Sequence, residues 1–143
     1  MKKVTDEKTG ISFYIPNNWI CKIGKDGDIK VFNPDKKNTM VAISITLSSR
    51  MEHITKGMTK AEILQLEWEY ISKKKETIPE NEKYAYHEIN DKSLNQWRRL
   101  HFFVAKEHNI NVLLICHPKH KDSEQKFIEQ IIDSFFSSPV NIN

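Results

Sequence analysis

The amino-acid sequence predicts an α+β protein, with an antiparallel β-sheet of about six strands and helices packed on it. Three observations support this fold class. Several short segments alternate apolar and polar residues, two longer segments have the periodicity of an amphipathic helix, and turn-forming residues separate them. The chain has 143 residues, of which 38% are hydrophobic and 29% charged, and this balance suits one hydrophobic core. We predict a single domain over residues 1–143, in the order β-β-β-α-β-β-β-α.

The first strand is predicted in the stretch GISFYIPNNWI, where every second residue from Ile11 to Ile15 is apolar. Pro16 has no amide proton to donate to a neighbouring strand, so the strand should end there. The two asparagines that follow tolerate turn conformations, which lets the chain reverse close to the strand end. We therefore expect Trp19 to fold back as a large apolar plug over the end of the core.

The second and third strands are predicted at 29–34, IKVFNP, and at 40–49, MVAISITLSS. The former ends in an Asn-Pro turn. The latter carries large apolar residues on one face and small or polar residues on the other. The segment Asp26-Gly27-Asp28 precedes both strands. Because an EF-hand calcium loop needs more acids and a closing glutamate, we interpret this segment as a hairpin turn.

A helix is predicted from Lys60 to about Lys75, because Thr59 and Glu62 form a capping box at its start. Its apolar residues fall into two stripes. The stripe expected to face the sheet contains Ala61, Leu64, Trp68 and Ile71, and the outer stripe contains Ile63, Leu66 and Tyr70. One flat sheet cannot bury both stripes, so the outer one is a candidate partner or dimer surface. The alternative is that the N-terminal segment, the 76–82 linker or the final helix covers it.

Three more strands, which should run antiparallel, and a second helix complete the chain. The strands span 83–89, 96–106 and 109–117, and the hairpin turns between them span 90–92 and 107–109. The helix is capped by Asp122 or Ser123 and ends near Phe136. Its apolar residues share one broad face that should pack on the sheet, namely Phe127, Ile128, Ile131, Ile132 and Phe135.

The element order and two short motifs resemble the PsbP-like superfamily, which includes photosystem PsbP, a Ran-release factor and bacterial DcrB-type and Eag-type proteins. The motifs are GISFYIPNNW, from Gly10 to Trp19, and Ser134-Phe135, and the element order covers nearly the whole chain. Many members have a glycine near the start of the fourth strand, where this chain has Glu82-Lys83-Tyr84, and many bacterial members carry a lipoprotein-type leader. The resemblance implies an antiparallel sheet covered by helices and a binding or assembly role without chemistry.

The charge pattern predicts neither a nucleic-acid partner nor a membrane span. Lys and Arg number 22 and Asp and Glu 19, and the basic residues are scattered among the acids. The longest apolar run, Val112–Cys116, is far too short to cross a bilayer. We expect a soluble, cytoplasmic protein from the sequence as it stands, or a periplasmic or surface-anchored one if a leader has been removed. Cys21 and Cys116 lie in apolar sequence and are interpreted as reduced thiols.

No catalytic constellation is recognisable in the sequence. Its four glycines are dispersed, and it has neither a phosphate-binding loop nor a nucleophile elbow. The best candidate is the segment CHPKH with His108 across the hairpin turn, because thiolate and imidazole bind zinc. Cys116 and His117 are adjacent on a strand and face opposite sides, so at most one of them can join His120. We predict no enzyme, no cofactor and no metal, and the alternative is a small metal-dependent or enzymatic domain using Cys116, His117 and His120.

These observations predict a non-enzymatic protein-binding module, for example an adaptor, a chaperone of a secreted protein or an immunity-type inhibitor. Its partner would be another protein or a second copy of the chain. Two surfaces are candidates for this contact. The first is the outer helix stripe of Ile63, Leu66 and Tyr70, and the second is a sheet face that combines aromatic groups with an arginine, namely Trp97, Arg99, His101 and Phe103. The latter four could equally form half of the core.

Overall fold

The computed structural model describes residues 1–47, 57–72 and 78–137, with the side chains of the first helix described as far as Leu66. Within these residues the chain forms eight strands and two α-helices. They are β1 (Lys2–Thr5), β2 (Ser12–Ile15), β3 (Ile20–Ile23), β4 (Ile29–Phe32), β5 (Met40–Leu47), α1 (Lys60–Ser72), β6 (Ala85–Asp91), β7 (Gln96–Ala105), β8 (His108–Cys116) and α2 (Lys121–Ser137), the last preceded by a 3₁₀ turn at Pro118–His120. No helix in this part of the chain is long and apolar enough to cross a membrane.

The main sheet has six antiparallel strands in the order β3-β4-β5-β8-β7-β6, which confirms the predicted fold class. β1 and β2 form a separate antiparallel pair. The sequence pattern does not predict β1 and β3, so the predicted order has two strands too few. Each of these strands is four residues long and mostly exposed, so neither shows the alternation of a half-buried strand. Their strand conformation comes instead from backbone pairing, of β1 with β2 and of β3 with β4.

Two hairpin turns differ from the prediction by one or two residues. Between β7 and β8 the turn consists of Lys106 and Glu107, whose φ angles of 50° and 64° are both positive, as a type I′ turn requires. Between β6 and β7 the turn follows Asp91, whose carboxylate accepts hydrogen bonds from the Ser93 hydroxyl and the Leu94 amide. Asp91 therefore begins this turn from within β6, and the predicted turn at 90–92 lies too early in the chain.

Trp19 is buried, as predicted, with 1% of its surface exposed. Its amide donates to the carbonyl of Pro16 at 3.0 Å, which closes the turn between β2 and β3. Its ring packs against Phe127 of α2, with 5.3 Å between the ring centroids. The proline and the tryptophan of the opening motif thus act together, because the turn that Pro16 starts brings the indole onto the last helix.

Helix α2 packs on β2, β7 and β8. Four of its five predicted core residues are fully buried, and the fifth, Phe127, is half-buried. The ring of Phe135 stacks on Phe13 of β2 at 4.8 Å and meets Phe103 of β7 edge to face at 5.4 Å. The Ser134 hydroxyl accepts a hydrogen bond from the Tyr14 amide at 2.8 Å. The Ser-Phe motif therefore joins the small sheet to the main one through α2.

Helix α1 begins with the predicted capping box. The Thr59 hydroxyl accepts from the Glu62 amide at 3.1 Å, and the Glu62 carboxylate accepts from the Thr59 amide at the same distance. α1 packs on β6 and β7, on the side of the main sheet opposite α2, where Leu64 meets Phe102 and Ala85 in a second apolar cluster. The predicted end at Lys75 lies outside the described residues.

Substitution of Trp19 by alanine should lower the free energy of unfolding by about 3 to 5 kcal/mol, the usual loss for a large buried aromatic side chain. A urea melt followed by circular dichroism measures this loss. The matched control is Leu94→Ala, because Leu94 is also large and apolar but lies exposed in a hairpin turn. A loss below about 1 kcal/mol for Trp19→Ala would show that the indole does not support the core.

Candidate functional site

The residues of the predicted outer stripe of α1 differ in burial. Ile63 is buried, with 9% of its surface exposed, so the prediction that it is exposed is wrong. The reason is that Ile78, in the predicted 76–82 linker, belongs to the same apolar cluster as Ile63 and Leu64. Leu66 is 41% exposed, as an outer residue should be. Tyr70 lies outside the side chains that the structure describes, as do Trp68 and Ile71 of the inner stripe.

The predicted sheet-face surface is part of the core. Trp97, His101 and Phe103 are buried, because their side of the main sheet is the one that α2 covers. Arg99 is half-buried on the same side. A partner cannot contact the three buried residues while the chain is folded, so the structure supports the alternative that these side chains form half of the core.

His101 is held neutral beneath α2. Its Nδ1 lies 2.8 Å from the carbonyl oxygen of Val112, so this nitrogen carries the proton and donates it. Its Nε2 then accepts from the side-chain amide of Gln125 at 3.0 Å. Burial lowers the pKa of His101 to about 3, because the charged imidazolium would lose its hydration. Both ring nitrogens are in use, so the imidazole has no free position from which to act as a base.

Arg99 belongs to a hydrogen-bonded network between the edge of the sheet and α2. Its guanidinium donates to Glu88 at 2.6 Å and to the Tyr84 hydroxyl at 3.0 Å, and it stacks over the Tyr86 ring at 4.2 Å. The Tyr84 hydroxyl donates in turn to the Glu129 carboxylate. Burial, and then this hydrogen bond, raise the pKa of Tyr84. These contacts tie β6 and β7 to α2, which is a structural role.

The side chains of the alternative catalytic or metal segment, CHPKH, do not come together at one site. Cys116 is buried, and burial followed by the charge of Glu124 raises the pKa of its thiol to about 11. His117 lies on the other side of the strand end and accepts a hydrogen bond from the Lys119 amide, with its ring centroid 6.2 Å from that of His120. Among the described residues, no three His, Cys, Asp or Glu side chains are grouped as ligands for one metal ion. Cys21 and Cys116 are both free thiols.

A surface that the sequence analysis did not identify lies on the side of the main sheet opposite α2. Helix α1 occupies this side over β6 and β7, and the described residues leave it open over β3, β4, β5 and β8. Six apolar side chains and three basic ones point from it and are exposed or half-exposed. We call this surface the open face, and its residues are Ile20, Lys22, Lys30, Phe32, Met40, Ala42, Arg98, Leu113 and Ile115.

The apolar side chains of the open face form a row across four strands. In the strand register Ile20 pairs with Phe32, Phe32 with Met40, and Met40 with Ile115. Ile20 is the most exposed of them, at 48%. The sequence signal for this surface is β8, where Leu113 and Ile115 alternate with buried residues that are also apolar. A strand that is apolar on both faces indicates that both faces are covered or that one of them binds something.

The basic side chains of the open face lie beside this apolar row. Lys22 and Lys30 are directly opposite each other in the register, two residues along the strands from Ile20 and Phe32 and on the same side of the sheet. The ammonium group of Lys22 is 5.6 Å from the centroid of the Phe32 ring. Arg98 is the register partner of Ile115. On this side β3, β4, β5 and β8 carry no aspartate or glutamate in their described residues.

A cleft of about 920 Å³ adjoins the open face along most of the apolar row. Three residues of the row, Phe32, Met40 and Ile115, line it. The remaining lining comes from the 33–39 loop, from the β6–β7 turn and from the end of β8, including Lys36, Lys37, Thr39, Leu94 and His117. The Thr39 hydroxyl is buried and has no hydrogen-bond partner in the described part of the chain. The cleft therefore extends the open face with the same combination of apolar and basic groups.

Comparison with solved structures shows that the chain has a PsbP-like fold. The structure of cyanobacterial PsbP (CyanoP) from Synechocystis sp. PCC 6803 superposes with a TM-score of 0.57 and 12% identity, over 93% of this chain and 89% of that one. A protein from Bacteroides thetaiotaomicron VPI-5482 gives a TM-score of 0.57 and 13% identity, over 93% of this chain. The match covers 47% of that protein, so this chain spans about half its length. No protein-family model and no curated protein matches the sequence.

Substitutions in α1 should separate its buried residues from its exposed one. Leu64→Ala should cost about 2 to 5 kcal/mol of unfolding free energy, because Leu64 is fully buried, and Ile63→Ala should also be clearly destabilising. Leu66→Ala should cost less than about 1 kcal/mol in the monomer. Urea melts of the three variants measure these losses. Equal losses for Leu64→Ala and Leu66→Ala would contradict the burial described for this helix.

The buried His101 should make the fold less stable in acid. The unfolded chain binds a proton on this imidazole near pH 6.5, and the folded chain does so only near pH 3. Stability from this group is therefore complete above pH 6.5 and falls as the pH decreases, by at most about 1.4 kcal/mol per pH unit.

The control for this pH effect is His101→Gln, which keeps a donor and an acceptor but does not titrate. Urea melts between about pH 4 and pH 7 should show a steeper loss of stability in the parent chain than in the variant. The same slope for both proteins would mean that His101 is not held neutral in the fold.

Proposed function

We propose that the chain is a non-enzymatic protein-binding module and that its partner docks on the open face. The observation that supports this most directly is the apolar row from Ile20 to Ile115, which crosses four strands without being covered by a described element. A contiguous exposed apolar surface with a polar rim is typical of protein-interaction sites. The basic residues of the open face and the cleft residues Asn38 and Asn95 provide that rim.

The division of roles between the two sides of the sheet supports this proposal. On the α2 side, the aromatic and titratable groups are buried or engaged in the network of Arg99 and His101. Their contacts stabilise the fold. On the other side, the half-exposed side chains of Phe32 and Met40 can lose further apolar surface, which is favourable by roughly 25 cal/mol per Å². Binding there would not require the core to open.

The function classes that need such a docking face are an adaptor, a chaperone of a secreted protein and an immunity-type inhibitor. The partner is another protein or a second copy of the chain. Leu66, exposed on α1, remains a second candidate contact, together with Tyr70. We propose the cytoplasm as the compartment, because two unpaired thiols suit reducing conditions.

A photo-crosslinking amino acid tests where the partner docks. It is introduced at Met40 on the open face, at Leu66 on α1, or at Lys126 on the exposed side of α2, in cells that produce the protein. We expect one defined adduct from position 40 and none from position 126. An adduct from position 66 alone would move the docking surface to α1, and no adduct from any position would contradict the proposed function.

A matched pair of substitutions on one strand checks that the adduct depends on the open face. Ile20 and Ile23 are both in β3, with 48% and 53% of their surface exposed, but they face opposite sides of the sheet. Ile20→Glu should remove the adduct formed from position 40, whereas Ile23→Glu should leave it. Circular dichroism verifies that both variants are folded. Equal loss in the two variants would show that the adduct does not report docking on the open face.

A further inference from the structure

We propose that the docking segment of the partner is an acidic amphipathic helix, an inference that rests on the proposed function and specifies its chemistry. Two properties of the open face lead to it. Its width fits one helix beside α1, and its lysines, Lys22 and Lys30, lie on strands that carry no aspartate or glutamate on this side, whereas Arg98 has Asp91 as an acidic neighbour. The partner would place an apolar stripe on the row from Ile20 to Ile115 and carboxylates over Lys22 and Lys30.

The dimensions follow from the sheet. Four neighbouring strands about 4.8 Å apart give an open width of about 14 Å, and a helix with its side chains has a diameter of about 10 to 12 Å. In layered α+β proteins a helix packs on a sheet through one apolar stripe. α1 does this over β6 and β7, and the described residues supply no second helix over β3, β4, β5 and β8. One helix from a partner would complete the layer.

The same geometry disfavours a flat lipid surface as the occupant. α1 stands on the sheet immediately beside the open strands, and it rises above them by about 10 Å, one helix diameter. The cleft and the 33–39 loop lie beside the row, along Phe32, Met40 and Ile115. A bilayer would meet α1 before it reached Phe32 or Met40, whereas a single helix can lie next to α1.

The charges of the open face favour an acidic partner. Lys22 and Lys30 are directly opposed in the register, an arrangement of like charges that is destabilising in the free chain. Within the described residues neither lysine forms an ion pair. A carboxylate placed over this pair would relieve the repulsion and form charge-assisted hydrogen bonds. Lys37, which lines the cleft, adds a further positive charge near the row.

Three synthetic helices test the inference on the full chain. They have the same 18-residue length and the same leucine stripe, and their polar face is built from glutamate, glutamine or lysine. Fluorescence anisotropy measures the binding of each labelled peptide. We expect the glutamate peptide to bind about tenfold or more tightly than the glutamine peptide, with the lysine peptide weakest. This advantage should shrink as the ionic strength rises from about 0.05 M to 0.5 M.

Charge reversal on the protein provides the matched control. Lys22→Glu with Lys30→Glu should remove the preference for the glutamate peptide. Lys3→Glu with Lys126→Glu changes the net charge equally but away from the open face, and it should leave the preference intact. If circular dichroism shows that the charge reversal prevents folding, Lys22→Gln with Lys30→Gln replaces it. This variant should weaken the preference for the glutamate peptide.

The remaining outcomes separate a failure of the acidic-helix inference from a failure of the proposed function. If the glutamine peptide binds as tightly as the glutamate one and Ile20→Glu abolishes both, docking on the open face stands and the acidic partner is wrong. If no peptide binds although position 40 forms its adduct, the partner is not such a helix. If the protein binds phosphatidylserine vesicles more tightly than the glutamate peptide, and Lys22→Glu with Lys30→Glu removes this binding, the occupant is a lipid surface and the inference is wrong. If no peptide binds and position 40 forms no adduct, the proposed function is wrong as well.

Discussion

The contact on which the rest of the structure depends is the insertion of Phe135 between the two sheets. Its ring stacks on Phe13 of the small sheet and meets Phe103 of the main sheet. A two-stranded sheet is at best marginally stable alone, so β1 and β2 need this contact to remain in place. Trp19, in the turn between β2 and β3, adds a second attachment through Phe127. Helix α2 thus packs on the main sheet and also holds the small sheet of β1 and β2 in place.

Because α2 packs on one side of the main sheet, the proposed docking surface lies on the other side. The aromatic and titratable groups that a partner would favour, such as Trp97, Arg99 and His101, are already bound to groups of the chain itself. The side chains of the open face, in contrast, are exposed or half-exposed. The groups that stabilise the fold beneath α2 are therefore on the side of these strands opposite the surface where we propose that a partner docks.

The similarity to cyanobacterial PsbP and the Bacteroides protein is a similarity of packing. At 12% and 13% identity, these chains share a layered arrangement and few residues. A fold does not specify a function, because function resides in the side chains placed on it. For this chain we propose that those side chains are the apolar row, the opposed lysines Lys22 and Lys30, and the residues of the cleft beside them.

The sequence by itself determined the elements that local rules specify. Alternation and turn residues predict most strands, the Thr59–Glu62 capping box predicts the start of α1, and helical periodicity predicts the buried face of α2. Only the tertiary structure decided that β1 and β3 are strands, that Ile63 is buried against Ile78, and which side of the main sheet is open. The physical reason is that periodicity shows which residues share a face, whereas the packing of distant segments decides which face is covered.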